Sequence, residues 1–288
     1  MTADPATADA VTQARHAAES AARLSGVTVA ESHDMEELRA VSALLESVWG
    51  RNDEGVPVNS EVQRSLVHAG GCVTVARDRH GRLAGAAVLA VAAPAGSTCS
   101  MIAAVAPGTS DRGIGRTLKL RQRAWALENG FRSMRWTFDP LVSRNARFNL
   151  TKLGAEAAEY EPAFYGRMSD DLNGDDDSDR LVADWRLDGR RVVAATDGTA
   201  PEPAGPDENG PVLRRGPDGS PMLRRDDRGL WCRVPADVVA LRRGRPAEAS
   251  QWRTSVREVL IAAFADGLVA THLTRDSWYL LTETEERR

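Results

Sequence analysis

Apolar residues recur at helical spacing in the first part of the chain. In "DMEELRAVSALLESVW", residues 34–49, Leu38, Val41, Leu45 and Val48 fall on one face of a helix. The stretch "SEVQRSLVHAG" continues with a second helical pattern. The pattern therefore predicts two helices ahead of the first strands of a sheet.

The next stretch alternates apolar runs with turn residues. "GCVTVAR" and "RLAGAAVLAVAA" are separated by the turn "DRHG", which predicts an antiparallel hairpin. "STCSMIAAVAP" predicts a third strand that stops at Pro107 and leads into "TSDRGIGRTLKLRQRAWALENG", residues 109–130. In that segment a short glycine turn precedes a long amphipathic helix, which ends at Asn129 and Gly130.

The remaining pattern is again mixed. A strand over "FRSMRWTFDP", a short helix over "SRNARFNLTKLG" and a strand over "RLVADWRL" precede a stretch rich in Gly, Pro, Asp and Arg. After it, the pattern predicts strand, helix, strand and strand. We expect a flexible tail over 1–26, a main domain over 27–187, a linker or long excursion over 188–229, and an extension over 230–288 that packs on or completes the sheet.

Composition excludes several classes of protein. The 288 residues are 42% hydrophobic and 27% charged, with a net charge of -4, which gives no field suited to general binding of nucleic acid or an anionic membrane. No segment resembles a signal peptide or a transmembrane helix, and the three cysteines form no CxxC pair, so a cytoplasmic protein is expected. The five histidines form no spaced pair and "SDDLNGDDDSDR" lacks the ligand pattern of an EF-hand, so no metal site is predicted.

The glycine turn "RGIG", residues 112–115, is the most informative local feature. A helix N-terminus carries unpaired N–H groups and a partial positive charge, so glycines that admit another molecule there predict a phosphate site. Such a turn also occurs in many α/β proteins for conformational reasons alone. The chain has neither a GxGxxG fingerprint nor the lysine of a P-loop.

The order of these elements, with a strand ending "VAP", the turn "RGIG" and a helix ending "KLG", resembles the GNAT acyltransferase superfamily. The segments "WTFDPLVSRNARFNLTKLGA" and "FYGRMSDDLNGDDDSDRLVADWRL" look like a bacterial subfamily of predicted N-acyltransferases. The resemblance covers residues 30–187 well and the C-terminal part more loosely. It implies an α/β (α+β) fold with a mixed, mostly antiparallel central sheet flanked by helices, extended by a C-terminal strand-helix-strand unit. It also implies binding of acyl-CoA, with acetyl or succinyl as the acyl group.

The resemblance assigns roles to particular residues. Val105 would lie on a strand that splays from its neighbour and offer backbone groups to the pantetheine arm and the thioester oxygen. Asn145 and Asn149 would hydrogen-bond the pantetheine. The pyrophosphate would be bound at the helix start by Arg112, Gly113, Ile114, Gly115, Arg116 and Thr117.

The charges on this helix follow the same pattern. Arg112, Arg116, Lys119 and Arg123 line one helical face, which either meets the phosphates of coenzyme A or is a solvated surface.

The chain departs from the superfamily pattern at two places. Ser110 and Asp111 stand where Gln or Arg begins the glycine motif, and Asp111 either repels the pyrophosphate or caps the helix. Leu150 replaces a tyrosine that protonates the leaving thiolate. Tyr165 is the substitute acid that we predict, unless its ring only packs in the core.

Acidic residues near the expected cleft are candidates for the general base. Asp139 is preferred over Glu46 and Asp179 because it ends a strand, although it could equally cap the short helix that follows. Arg180 either binds a carboxylate of the acceptor or of a succinyl group, or forms a structural salt bridge.

The predicted function is acyl transfer from acyl-CoA to the amine of a small molecule or an amino acid. An acyltransferase that modifies a peptide or protein, and a relative that only binds coenzyme A or a partner, remain alternatives. The expected partners are acyl-CoA and an amine acceptor, and the sequence leaves open whether the chain forms a homodimer.

Overall fold

A computed structural model describes residues 5–50, 57–109, 112–166 and 177–283. The chain divides into two compact units. The first comprises Met1–Trp136 and Arg186–Val193, and the second comprises Thr137–Trp185 and Ala194–Arg288. This division differs from the expected boundaries at 187 and 229.

The first unit places helices on both faces of a sheet. Its strands follow the order β1-β2-β3-β4-β5, antiparallel except for the parallel pair β4 and β5. The elements are α1 (Pro5–Ser25), β1 (Val27–Glu31), α2 (Met35–Trp49), α3 (Ser60–His68), β2 (Cys72–Asp78), β3 (Leu83–Ala92), β4 (Ser97–Val105), α4 (Ile114–Glu128) and β5 (Ser133–Phe138). The predicted helices, hairpin and third strand are all present.

Two apolar clusters form the core of the first unit. Leu38, Val41 and Leu45 of α2 are buried in one of them, as their helical spacing predicts, and pack with Val73 and Val88 of the sheet. The other cluster brings the start of α4 against the opposite face through Ile114 and Leu118.

Residues 5–25 do not form the flexible tail that we expected over 1–26. They form α1, whose Ala14, Ala17, Ala18 and Ala21 recur at helical spacing and are buried. The helix runs antiparallel to α4, since Ser25 Oγ lies 2.9 Å from Thr117 Oγ1 and Arg15 Nε lies 2.5 Å from Glu128 Oε1. We expected weak anchoring because alanine buries little area per residue. Small side chains nevertheless allow two helices to approach each other closely and pack well.

The second unit is built around an antiparallel sheet in the order β7-β6-β11-β12-β10-β9-β8. A π-helical turn, Phe148–Lys152, continues its first helix. The elements are α5 (Ser143–Arg147), β6 (Glu156–Glu161), β7 (Arg180–Arg186), the second half of α6 (Arg190–Asp197), β8 (Val212–Arg215), β9 (Pro221–Asp226), β10 (Gly229–Arg233), α7 (Val238–Gly244), α8 (Pro246–Ala265), β11 (Leu268–Leu273) and β12 (Trp278–Glu283).

The stretch over 188–229, expected to be a linker or a long excursion, contains regular secondary structure. It contains α6, β8 and β9, and β9 pairs with β10. Gly216 lies so close to Trp252 that a β-carbon added to it would stand 2.6 Å from the indole. The composition is explained by tight turns and by close packing on an aromatic ring rather than by disorder.

The predicted fold class is confirmed: a mixed α/β architecture with a mostly antiparallel sheet flanked by helices. Among the described helices, none combines the length and the apolar character of a bilayer-spanning segment.

Candidate functional site

The start of α4 presents backbone donors at the end of a glycine turn. Gly113 occupies the N-cap position with φ of 81°, and no side chain in the described part of the chain caps this helix end. The first intrahelical bond runs from Thr117 N–H to the Gly113 carbonyl at 3.0 Å, so the amides of Ile114 and Gly115 precede the hydrogen-bond ladder. Ser110 and Asp111, which the sequence singled out, lie outside the described residues.

The two glycines of the turn have different physical requirements. Gly113 needs its left-handed conformation, which other residues adopt only at a cost. Gly115 does not have a positive φ, and a β-carbon there would lie 3.8 Å from Val105 Cγ2, an ordinary contact. The backbone at position 115 would tolerate a side chain, so the backbone does not require glycine there. The lack of a side chain leaves space beside the helix amides.

The strands next to this turn diverge. β4 pairs with β5 only through Ser97, Thr98 and Cys99, which face residues 133–135, whereas β4 pairs with β3 as far as Val105. We call the divergence of β4 from β5 beyond Cys99 the splay. Among the described residues, this edge of β4 has no sheet partner from residue 100 to residue 105.

The backbone of Val105 faces the splay. Ala106 donates its N–H to the Ala84 carbonyl of β3 at 2.9 Å. Because backbone groups of successive residues in an antiparallel strand point to opposite sides, the N–H and C=O of Val105 and of Ala103 point away from β3. The Trp49 indole confirms this direction, since its Nε1 donates to the Ala103 carbonyl at 3.3 Å.

Thr117 differs from the role that the resemblance implies. Its side chain is buried, with its Oγ1 2.9 Å from Ser25 Oγ of α1 and 3.2 Å from the Gly113 carbonyl. Its amide closes the first turn of the helix. Thr117 therefore offers neither group to a ligand, because α1 covers a position that we expected to be open.

The basic stripe of α4 is not a continuous exposed surface. Arg112 is exposed, but Lys119 and Arg123 are buried. Arg123 donates through Nε to the Leu187 carbonyl at 2.8 Å. Lys119 and Arg123 therefore do not form a solvated surface, and their contact with a phosphate stays a prediction.

Lys119 lies over the Trp136 ring, with its Nζ 3.7 Å from the ring centroid. Burial lowers the pKa of Lys119 to about 7. Burial likewise raises the pKa of Cys99. The first unit therefore contains an amine that is partly neutral at physiological pH, next to the residues where β4 and β5 part.

Asp139, in the second unit, is a structural carboxylate rather than the predicted general base. Its Oδ2 accepts from Arg242 at 2.6 Å and from Arg253 at 3.1 Å, and its Oδ1 accepts from Leu141 N–H at 2.9 Å. Burial alone would raise the pKa of Asp139, but the charges of Arg253 and Arg242 outweigh it and hold the pKa below its usual range. The N-cap position of α5 is Val142, so Asp139 does not cap that helix either.

Asp179 is held in a similar way. Its carboxylate accepts from Arg257 Nη2 and Nε, both at 2.8 Å, and from the Tyr160 hydroxyl at 2.5 Å. Burial favours the neutral acid, but these hydrogen bonds prevail and lower the pKa of Asp179. A carboxylate so paired is a weak proton acceptor.

Tyr165 is half-exposed rather than packed in the core. Its ring contacts Phe164 edge to face, with centroids 4.7 Å apart, and the Arg180 guanidinium lies 5.2 Å from its centroid. Arg180 itself is buried and donates to the Asp179 carbonyl at 3.0 Å. Most of the acidic loop "SDDLNGDDDSDR" lies outside the described residues.

The remaining predicted residues also belong to the second unit. Asn145 is exposed on α5, whereas Asn149 is buried in the π-helical turn and its carbonyl accepts from Ala155 N–H at 3.1 Å. Leu150 is fully buried, so the position of the usual tyrosine belongs to the core. The pantetheine contacts of Asn145 and Asn149 stay predictions.

Sequence reasoning missed Trp49. It is the last residue of α2, and its position in the helical repeat does not distinguish it from the apolar core residues of that helix. The hydrogen bond from its indole N–H to a carbonyl in the splay is visible only in the structure.

No protein-family model matches the sequence, and no relative is found among curated proteins. Fold comparison finds solved structures that match a little over half of the chain. A phosphinothricin acetyltransferase of the GNAT superfamily from Sinorhizobium meliloti, in complex with acetyl-CoA, is 19% identical over 55% of this chain and 87% of its own, with a TM-score of 0.46. A GNAT family acetyltransferase from Elizabethkingia anophelis with acetyl-CoA bound is 16% identical over 56% of this chain and 98% of its own, with a TM-score of 0.44.

The ribosomal-protein-S18-alanine N-acetyltransferase from Escherichia coli is 14% identical over 56% of this chain and 94% of its own, with a TM-score of 0.46. The first two of these structures carry the name of the superfamily that the sequence motifs indicate.

Proposed function

We propose that this chain is an acyl-CoA-dependent N-acyltransferase that transfers an acetyl or succinyl group to the amine of a small molecule or an amino acid. The observation that carries the proposal is the combination, in one compact unit, of a glycine-rich helix start with a splayed strand whose Val105 backbone faces the gap.

The helix start supplies the anion site. The amides of Ile114 and Gly115 and the positive end of the α4 dipole would bind the pyrophosphate of coenzyme A, and the exposed Arg112 adds a positive charge. The edge of β4 that faces the splay would hydrogen-bond the pantetheine arm through Val105 as a strand partner does.

The splay supplies the transition-state donor. The neutral amine of the acceptor attacks the thioester carbonyl, and the oxyanion that forms would accept a hydrogen bond from Val105 N–H. One such donor contributes about 3 kcal/mol to the transition state. The C–S bond then breaks and coenzyme A leaves as the thiolate, a tolerable leaving group because thiols have pKa values of about 8.5. Tyr165 stays the acid predicted from the sequence.

Glu46 is the proposed general base, which takes the proton of the acceptor amine. Asp139 and Asp179 are held by arginines in the second unit. Glu46 lies one helical turn before Trp49, on the same side of α2. Because the Trp49 indole reaches the splay, Glu46 is the acidic candidate nearest in sequence to a group in the site.

The proposal is tested in two stages. Calorimetry with coenzyme A, acetyl-CoA and succinyl-CoA measures binding, and thiol release in the presence of an amine panel measures turnover. Binding with turnover supports the enzyme. Binding without turnover leaves only the coenzyme A-binding alternative, and no binding to correctly folded protein overturns the proposal.

Gly115→Ala tests the role of the helix start without disturbing the fold. The added methyl group meets only an ordinary contact and favours the helix, so stability should be kept, while affinity for acetyl-CoA should fall at least about tenfold. Gly205→Ala is the matched control, since a β-carbon there meets nothing within 4 Å. It should leave affinity unchanged.

A further inference from the structure

A basic surface cavity lies in the second unit, among residues to which the proposed reaction gives no role. Its volume is about 460 Å³, and its described lining carries four positive side chains and no negative one. These are Arg144, Arg147, Lys152 and Arg275, joined by Ser143 and Ser277.

Three of the four cations converge on one carboxylate. Arg147 Nη2 donates to Glu202 Oε1 at 2.5 Å, Arg275 Nε donates to Glu202 Oε2 at 2.9 Å, and Lys152 Nζ also donates to Oε1. Both oxygens of Glu202 are thus held by side chains from different parts of the chain. The hydrogen bond from Lys152, with those from Arg275 and Arg147, lowers the pKa of Glu202 to about 2.

Two hydroxyl groups add neutral donors to the cavity. Ser143 Oγ and Ser277 Oγ are 2.7 Å apart. One hydroxyl hydrogen forms that bond, which leaves the other to donate to a ligand. Guanidinium, ammonium and hydroxyl donors around one space are the groups that bind phosphoryl oxygens.

Glu202 lies in the connection between α6 and β8. Residues 198–211 contain no helix or strand. Arg228 fixes part of this segment through the carbonyls of Ala204, at 3.2 Å, and Gly205, at 2.6 Å. A carboxylate carries one negative charge, whereas a phosphate monoester carries nearly two at neutral pH.

We propose that the cavity bounded by Ser143, Arg144, Arg147, Lys152, Arg275 and Ser277 is a binding site for a phosphoryl dianion, which takes the place of the Glu202 carboxylate. The site is independent of acyl-CoA binding at α4 and would exist even if the protein were not an acyltransferase. The phosphoryl group is either free phosphate or part of a larger molecule such as coenzyme A.

The test is a titration of the full chain with inorganic phosphate at constant ionic strength, in which calorimetry and ³¹P NMR measure binding. Lys152→Ala and Arg275→Ala should each weaken phosphate binding about tenfold or more, because each removes a charge-assisted hydrogen bond. Both side chains are largely exposed, at 42% and 76%, so the variants should fold. Glu202→Ala should bind phosphate about tenfold more tightly, because the competing carboxylate is gone.

Arg245→Ala and Glu248→Ala are matched controls, since this pair is also in the second unit, at 2.6 Å, and Arg245 is 69% exposed. An equal effect of the control variants would show general charge screening and would overturn the site. So would the absence of phosphate binding to both the unmodified protein and Glu202→Ala.

A comparison of coenzyme A with dephospho-coenzyme A identifies the source of the phosphoryl group. If Lys152→Ala weakens binding of coenzyme A but not of the dephospho form, the cavity accepts a phosphate monoester that is part of a larger molecule. If Lys152→Ala binds coenzyme A and dephospho-coenzyme A with unchanged affinity but binds inorganic phosphate less tightly, the cavity binds a separate phosphorylated ligand. Either result supports the site, and a result without any loss for Lys152→Ala contradicts it.

Discussion

The ammonium group of Lys119 lies 3.7 Å from the centroid of the Trp136 ring. Trp136 directly follows the last residue of β5 that pairs with β4, so this contact lies where the splay begins. The aromatic face replaces part of the hydration that a buried ammonium loses. The replacement is incomplete, because the pKa of Lys119 still falls to about 7.

Lys119→Met should reduce the pH dependence of stability. The pKa of Lys119 is lowered from 10.5 in the unfolded chain to about 7 in the folded one. Between these values the unfolded chain binds more protons, so this group destabilises the fold fully below pH 7 and less as the pH rises. Urea unfolding at pH 7 and pH 8.5 should show a stability increase in the unmodified protein that the variant lacks.

Lys152→Met is the control for this measurement, because its side chain is 42% exposed. It should keep the increase between the two pH values. An increase of the same size in Lys119→Met would show that Lys119 is charged in the folded protein.

Asp139→Asn should destabilise the second unit. The substitution leaves Arg242 and Arg253 buried without their charged partner, and breaking a buried ion pair from one side costs about 3–5 kcal/mol. Thermal unfolding should show a clear decrease in the midpoint. Asp218→Asn, in the more exposed pair with Arg233, should change it little. Equal midpoints for Asp139→Asn and the unmodified protein would contradict the structural role.

Trp49→Phe should remove the fluorescence response to acetyl-CoA. The Trp49 indole donates to the Ala103 carbonyl in the splay, so a pantetheine arm that pairs with β4 would change its surroundings. A titration of the unmodified protein should show a saturable emission change that is largely lost in the variant. Trp278→Phe, on β12 of the second unit, should keep it, and a full response in Trp49→Phe would place the ligand elsewhere.

Local periodicity predicted the elements well where large apolar side chains mark one face. Leu38, Val41 and Leu45 lie in the core of the first unit because a helix repeats every 3.6 residues, which the sequence displays directly. The same reasoning failed for α1, whose buried face consists of small residues such as Ala17 and Ala21. Hydrophobic size, rather than helical spacing alone, determines how visible a buried face is in sequence.

The roles of charged residues were harder to predict because their partners are distant in sequence. Asp139 meets arginines more than a hundred residues later, and Arg123 donates to a carbonyl 64 residues away. Neither contact leaves a local pattern. The position of the glycine turn was predictable, since glycines before an amphipathic helix are a local signal, but the splay is a matter of strand register that residue types do not specify.

The central claim is that the start of α4 binds the pyrophosphate of coenzyme A, and Gly115→Asp tests it most directly. An acidic residue in the first turn of a helix is favourable for folding, because it complements the helix dipole, but it repels a pyrophosphate at the same place. Calorimetry with acetyl-CoA should therefore show binding to the unmodified protein and none to a variant whose unfolding midpoint is equal or higher. A folded Gly115→Asp variant that binds acetyl-CoA with unchanged affinity would contradict the account.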